Sequence, residues 1–383
     1  MLIGFMNLFQ VSEGRSEKSV LDDFLEDVEF ADDLGFDSVW LAEHHFSHYG
    51  IVGNPLMMGA AIAQRTKRIK IGTAILVLPF YNPLRLAEDI ALLDILSEGR
   101  VSIGCGRGYQ PIEFNGFGID AAEARERYNE VLDILMLALR EENWSYHGKY
   151  HHYDKVTTYP RPLTPGGPVL LHGAVNPESF ASYGTLGRRV ITSPTVAPLE
   201  RVQRNCRIYR ENLTAAGFDP AEFRFPFMQQ VWAGHSETMR QKVGEAALAY
   251  RRYVSGYLPN IDTATEEERA RYFKIQENYQ KMTVEQLLRD GGCFGDPDYV
   301  SSYITKLGRE IGVDEYIGLY TIPNIDRKVA LASMETFAKE VMPRVRLPLA
   351  AEPAGFAPQP AAAAPAAAAA IDNRGVAAAA ARK

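Results

Sequence analysis

Cysteine is scarce in this chain. Its 383 residues hold three, Cys105, Cys206 and Cys293, far apart in sequence. An odd, sparse set offers no disulfide framework and no metal-ligand spacing, and it fits a reducing compartment. Basic charge is also short: 41 Lys and Arg stand against 48 Asp and Glu, a formal net charge of -7. That balance argues against nucleic-acid or anionic-membrane partners, since both select basic patches. No apolar run is long enough to span a bilayer. The start, Met1-Leu2-Ile3-Gly4-Phe5-Met6, lacks the basic lead of an export signal and enters a strand at once. The expected location is cytoplasmic. No Walker loop is present and no G-x-G-x-x-G follows the first strand, so nucleoside triphosphate and dinucleotide motifs are excluded. What remains is ordinary globular composition, 46% hydrophobic and 23% charged.

Apolar strand-like runs alternate with helical periodicity up to about Pro343. The predicted strands are 2–8, 37–42, 69–76, 101–104, 169–172, 190–193, 225–233 and 316–320. The predicted helices are 18–34, 54–64, 83–96, 121–141, 177–186, 199–216, one after Glu237, and 326–341. About eight strand-helix units in strict alternation imply a parallel sheet. Their number and length favour a closed (β/α)8 TIM barrel over an open doubly wound sheet. Three helices open with the same device, Asn54-Pro55, Asn82-Pro83 and Asn176-Pro177. Asn caps the helix through its side chain, and Pro at the first position gives up only an orphan N–H.

Two stretches break the pattern. Residues 146–165, rich in Tyr, His and Pro, form an excursion after unit four. Residues 255–295 read as a polar insertion after strand seven, above the barrel mouth, with a lid and a plain mobile insertion both open. The barrel is expected to span residues 1–346. The Ala/Pro-rich tail, 347–383, is expected to be disordered, having almost no large apolar residue to bury.

Barrel sites lie at the C-terminal ends of strands. Strand two ends in Glu43-His44-His45-Phe46, strand three in Thr73-Ala74-Ile75, strand four in Gly104-Cys105-Gly106-Arg107-Gly108-Tyr109, and strand five in His172-Gly173-Ala174. If strand two runs through the histidine pair, only one imidazole faces the mouth. For an isolated histidine the bland reading is a satisfied structural imidazole; position at a strand end tips one of the pair toward acid-base work. Adjacent histidines do not supply the alternate spacing of a barrel metal site, so no metal is expected. The glycines around Arg107 read either as a tight turn with a surface Arg or as backbone that lets a phosphate approach the guanidinium. The helix opening at Asn176 through Ser179 offers free N–H groups and the positive end of a dipole to the same phosphate.

Several pieces together resemble the bacterial luciferase-like flavin monooxygenases. They are Trp40-Leu41-Ala42-Glu43-His44-His45-Phe46, Gly72-Thr73-Ala74, Asn82-Pro83, Ser97-Glu98-Gly99-Arg100, Gly106-Arg107-Gly108 with Phe114 and Phe117-Gly118, the segment from Met282-Thr283 through Asp296-Pro297, and the one from Phe337 to Pro343. The resemblance implies a (β/α)8 barrel that binds reduced FMN from a separate flavin reductase. With O2 the flavin forms a C4a-hydroperoxide that oxygenates a small organic substrate. By similarity His44 is the catalytic base, Arg107, Asn176 and Ser179 hold the phosphate, and Thr73 and Ala74 lie under the flavin ring. Glu43, Gly106, Gly173 and Ala174 complete the expected cofactor wall. A cis peptide at Ala74-Ile75 is also implied. In true luciferases a reactive cysteine directly precedes the Arg; here that position is Gly106, and light emission is not implied.

Such chemistry needs a dry pocket, which Phe5, Phe9, Phe46, Tyr81, Tyr109 and Phe114 are candidates to line. The apolar runs at 55–63 and 84–96 suggest packing between subunits of a homodimer. Alternatives on the same residues are an F420-dependent oxidoreductase, a flavin-binding protein without turnover, and a zinc hydrolase. The last would require alternate-spaced ligands that the sequence does not show.

Overall fold

The computed structural model describes residues 1–193, 199–223, 225–255 and 266–346. Its strands are β1 (Leu2–Asn7), β2 (Ser38–Leu41), β3 (Lys70–Val77), β4 (Val101–Gly106), β5 (Trp144–His147), β6 (His152–Val156), β7 (Val169–Gly173), β8 (Arg189–Ile191), β9 (Pro226–Ala233), β10 (Cys293–Gly295) and β11 (Glu315–Leu319). Its helices are α1 (Glu17–Leu34), α2 (Pro55–Arg65), α3 (Pro83–Leu96), α4 (Pro111–Phe117), α5 (Ala124–Arg140), α6 (Pro177–Thr185), α7 (Leu199–Ala215), α8 (Glu237–Ser255), α9 (Glu266–Lys281), the single turn α10 (Val284–Gln286), α11 (Pro297–Ile311) and α12 (Arg327–Thr336).

Nine strands form one sheet in the order β10-β9-β11-β1-β2-β3-β4-β7-β8. All neighbouring pairs in it are parallel. A parallel bridge from Thr192 to Phe227 brings the β8 end of the chain back to β9, and Met228 N donates to Thr192 O at 3.2 Å. The sheet therefore curls into the expected TIM-type architecture. β9 is long enough to pair with β11 through its first half and with β10 through its second.

The Asn-Pro starts form as the chemistry dictates. Asn54 accepts from Met57 N, Asn82 from Leu84 N and Arg85 N, and Asn176 from Ser179 N. Aliphatic and aromatic layers fill the space between strands and helices. A separate cluster including Met6, Trp40, Leu171, Ile191, Ile317 and Leu319 fills the inside of the curled sheet. Below it, Trp40 Nε1 and Ser38 Oγ both donate to the buried Glu315, at 3.0 and 2.6 Å.

The excursion at 146–165 is partly ordered as the antiparallel pair β5–β6. The insertion after β9 holds more than loop: α9, α10 and β10 occupy its described part, and its residues 256–265 and the tail 347–383 lie outside the described residues. Helices α4 and α11 were not expected from periodicity. Both start with proline, and Asp296 caps α11 by accepting from Tyr299 N at 2.8 Å. The helix expected at 121–141 is preceded by one tighter turn, Ala121–Glu123.

Candidate active site

β2 stops at Leu41, earlier than expected, and residues 42–46 are irregular backbone ending in Phe46 at φ 57°. The two histidines thus lie on irregular backbone, where strand alternation does not set their directions. His44 lines a cavity of about 330 Å³ at the strand ends. His45 lies behind it, its Nε2 3.0 Å from Glu43 Oε1 and its ring against Phe80 and Phe117.

Each histidine has its own carboxylate. Glu43 is buried, and its other oxygen accepts from Tyr81 OH at 2.7 Å and Val77 N at 3.1 Å. Burial pushes the Glu43 carboxyl up, with the bond to His45 opposing. Glu113 serves His44: its Oε1 accepts from the His45 amide at 3.1 Å and faces His44 Nδ1 at 3.1 Å. An oxygen already accepting from an amide places the ring proton on Nδ1 and leaves Nε2 as the lone-pair nitrogen. Gln110 Nε2 lies 2.9 Å from the same Nδ1; an amide NH2 only donates, so the Gln110 amide has to turn its oxygen to Nδ1 for the proton to sit there. Sequence reasoning missed Glu113 and Gln110. The available signal was a Pro-started turn, Gln110-Pro111, just past the glycine-rich strand end.

The β3–β4 ladder breaks between Thr73 and Leu76. The Ala74-Ile75 peptide there is cis, as the resemblance implied, and both residues line the cavity. A Cβ on Gly106 would lie 2.0 Å from Ile75 Cδ1, so a larger residue there requires the Ile75 side chain to move. Glu43, Gly106, Arg107, Gly173 and Ala174 border the same cavity. Thr73 does not: its hydroxyl donates to Gly104 O at 2.8 Å and the residue is sealed in the sheet.

Arg107 also borders a second cavity of about 350 Å³, with Arg125, Arg188 and Ser179. Arg125 and Arg188 form no salt bridge among the described residues. Burial pushes the nearby Asp133 carboxyl up, with Arg188 pulling against it. Arg125 comes from α5 and Arg188 from the residue before β8, both distant in sequence from Arg107. Asn176 does not line either cavity, because its side chain is committed to capping α6 at Ser179 N, 2.8 Å.

Other expectations need correction. Of the six aromatics offered as lining, Tyr109 alone borders the main cavity. Phe5 and Phe9 lie in the core, where Phe9 packs edge-on to Phe24 at 4.5 Å. Phe46 is exposed, Phe114 packs on Phe80, and Tyr81 is bonded to Glu43. Aliphatic side chains line the cavity instead, among them Met6, Leu8, Ile75, Val77, Ile191 and Leu319, because inward-facing strand positions carry them. Cys105 points away from the cavity, its thiol pushed up to about 12 by burial. His172 turns away with it. Burial, with Arg188 near, pushes its imidazole down to about 3, and Tyr128 OH lies 2.7 Å from Nδ1.

A family model described as luciferase-like monooxygenase matches residues 1–315. The chain belongs to this family. Among relatives, an uncharacterized protein of Sinorhizobium fredii is 32% identical over 55% of this chain, which spans 59% of that protein's length. The oxygenase component of a flavin-dependent trigonelline monooxygenase of Acinetobacter baylyi is 26% identical over 88% of this chain and 94% of its own. Among solved structures, the oxygenating constituent of 3,6-diketocamphane monooxygenase from Pseudomonas putida, in complex with FMN, shares the fold. Its TM-score is 0.77 at 23% identity, over 91% of this chain and 99% of that one. Among the described residues no group of three or more His, Cys, Asp or Glu is placed to hold a metal ion. No described helix is long and apolar enough to cross a membrane.

Both cavities fit a flavin nucleotide. The first is walled by apolar side chains and small residues, with one imidazole on its rim. The second shares Arg107 with it, sets three guanidiniums against the carboxylates of Asp133 and Glu178, and opens on the N-terminal turn of α6. A planar ring system and a phosphate need those two environments side by side.

Proposed function

We propose that this chain is the oxygenase of a two-component flavin monooxygenase. It takes reduced FMN from a separate reductase and uses O2 to oxygenate a small apolar organic substrate. The observation that carries this reading is Arg107 bridging two chambers, one apolar with a carboxylate-held imidazole and one lined by three guanidiniums. The Acinetobacter relative supports it, being by its name an oxygenase component.

Bound reduced FMN supplies the electrons that activate O2. Arg107, Arg125 and Arg188 hold its phosphate with the start of α6 at Ser179, and Asn176 supports that turn from behind. Ala74, Ile75, Gly106, Gly173 and Ala174 form the wall for the ring, with Thr73 fixing β3 beneath them. Leu8, Val77, Ile191 and Leu319 exclude water. His44 Nε2 takes and returns a proton during turnover, with Glu113 holding the ring. Glu43 and His45 brace the chain end that carries His44.

The α2–α3 face supports a homodimer. Met57 is 72% exposed, with Leu92, Ile95 and Leu96 at 40–48%, a patch that monomers seldom leave open. A strict monomer by light scattering at micromolar concentration would contradict this.

An F420-dependent secondary alcohol dehydrogenase shares the fold at TM-score 0.70 and 20% identity, over 90% of this chain and 99% of that one. Anaerobic titration with FMNH2 and with reduced F420, followed by air, separates the readings. Tight FMNH2 binding and oxygen uptake coupled to product are expected. Binding of F420 alone would refute the FMN assignment, and uptake without product in a substrate screen would leave a flavin-binding protein without turnover.

A further inference from the structure

The wall of the main cavity built by β9 and α8 carries two polar groups that the proposed chemistry does not use. Gln230 and Tyr250 both line the chamber that holds His44. Arg251 Nε donates to Gln230 Oε1 at 3.0 Å, with both side chains buried. Arginine has donors only, so the atom facing it is the amide oxygen, and the NH2 group is turned away from it. That NH2 makes no hydrogen bond among the described residues, while the residue borders the cavity. The Tyr250 hydroxyl is buried, the residue being 5% exposed, and has no hydrogen-bond partner among the described residues. Tyr49 packs beside it. Burial pushes the Tyr250 hydroxyl's pKa up, so it stays protonated and able to donate.

Buried polar groups almost always find partners. Two open donors on one apolar wall leave the acceptor to a ligand. Met228, Leu319 and Leu8 surround them, so the rest of that ligand is apolar. Glu43 and Glu113 border the same chamber and oppose an anion there, against Arg107 on the same border and Arg251 behind Gln230. We propose that Gln230 and Tyr250 anchor the substrate through one neutral carbonyl oxygen, whose two lone pairs take both donors. The substrate is then an apolar carbonyl compound, and this pair determines its selection. The inference rests on the functional reading above in taking the chamber as the substrate site.

The test uses the full chain loaded with FMN, titrated with cyclohexanone and with methylenecyclohexane. These are near-isosteres that differ in an oxygen against a CH2 group. Tyr250→Phe removes only the hydroxyl. It should weaken the ketone about fivefold and leave the alkene within about twofold, the scale of one net hydrogen bond. Gln230→Glu keeps an acceptor for Arg251 while removing the donor, and should weaken the ketone at least as much. Tyr250→Phe shifting both ligands equally, or neither, overturns the pair. Tighter binding of cyclohexanecarboxylate than of the ketone overturns the neutral class. Circular dichroism confirms folding, and Tyr250→Phe decides if Gln230→Glu misfolds. FMN affinity is read on the same samples. Wild-type protein that fails to bind FMN strikes the functional reading, whereas normal FMN binding with an unselective wall strikes this inference alone.

Discussion

Glu113→Gln separates the positioning of His44 from the binding of cofactor. Glu113 is buried, and one of its oxygens serves both His44 Nδ1 and the His45 amide at 3.1 Å. The amide keeps the volume and one acceptor oxygen, but it loses the charge that opposes a protonated imidazole. It also introduces a donor that can face Nδ1 and move the ring proton to Nε2, the nitrogen proposed to accept a proton. A hydrogen bond to a charged group contributes about 1.5–3 kcal/mol. At about 1.4 kcal/mol per tenfold, turnover should fall about 10- to 150-fold. The assay is single-turnover product formation at saturating FMNH2, with a substrate fixed beforehand by oxygen-uptake screening. FMN affinity should fall less than turnover does, because Glu113 borders the chamber of the ring but not the one proposed for the phosphate. A double-mutant cycle decides the mechanism. In a His44→Ala background the ring is gone, and Glu113→Gln should cost no more than about twofold further. An equal loss in both backgrounds would show that Glu113 acts on something other than His44, and unchanged turnover in the single variant would refute the reasoning outright.

Arg107→Ala should weaken FMN at least about tenfold while riboflavin, which lacks the phosphate, binds as before; equal losses for the two would place Arg107 on the ring instead. Gly104→Ala puts a Cβ 2.1 Å from the Thr73 backbone oxygen, which no rotamer relieves, and overpacking of this kind costs about 1–3 kcal/mol; an unchanged melting temperature would contradict the close approach of β3 and β4. Burial pushes Asp27 from 3.8 up to about 6, although Arg327 donates to it at 2.8 Å. The folded chain then holds this proton more tightly than the unfolded chain between about pH 4 and 6, so its contribution to stability is present at low pH and lost as pH rises through that window. The full linkage is about 3 kcal/mol; wild type should lose about 2 kcal/mol of it relative to Asp27→Asn from pH 4 to 6, and an unchanged difference would refute it.

The barrel was legible because its signals are local. Apolar runs of strand length alternate with helical spacing, and three Asn-Pro pairs mark helix starts that the structure places within a residue. Two of the missed helices, α4 and α11, also open with proline, but their caps are Gln110 and Asp296 rather than Asn. β10 is three residues long, too short to carry a period. The aromatic lining was misread for a related reason. Phe5 and Phe9 sit beside strand ends in sequence, yet they pack with Phe24 and Phe36 in the helical layer. Which face of a strand end meets the cavity depends on where the strand stops, and sequence alone does not show that.

The histidine pair makes the same point at the level of chemistry. Strand alternation would assign one imidazole inward and one outward by parity, with Glu43 the natural partner of either. In the structure β2 ends three residues before His44, so parity no longer governs. What divides the pair is the supply of carboxylates. Glu43, two residues before His45 on the same chain turn, reaches His45, Tyr81 and the Val77 amide. Those bonds tie the ends of β2 and β3 together. The oxygen that fixes the His44 tautomer comes from Glu113, 69 residues away, on a short helix that follows Arg107. One loop after β4 therefore supplies both a phosphate-side guanidinium and the carboxylate that orders the proposed base. A change in that loop should affect cofactor affinity and proton handling together, unless it is confined to one of these two side chains.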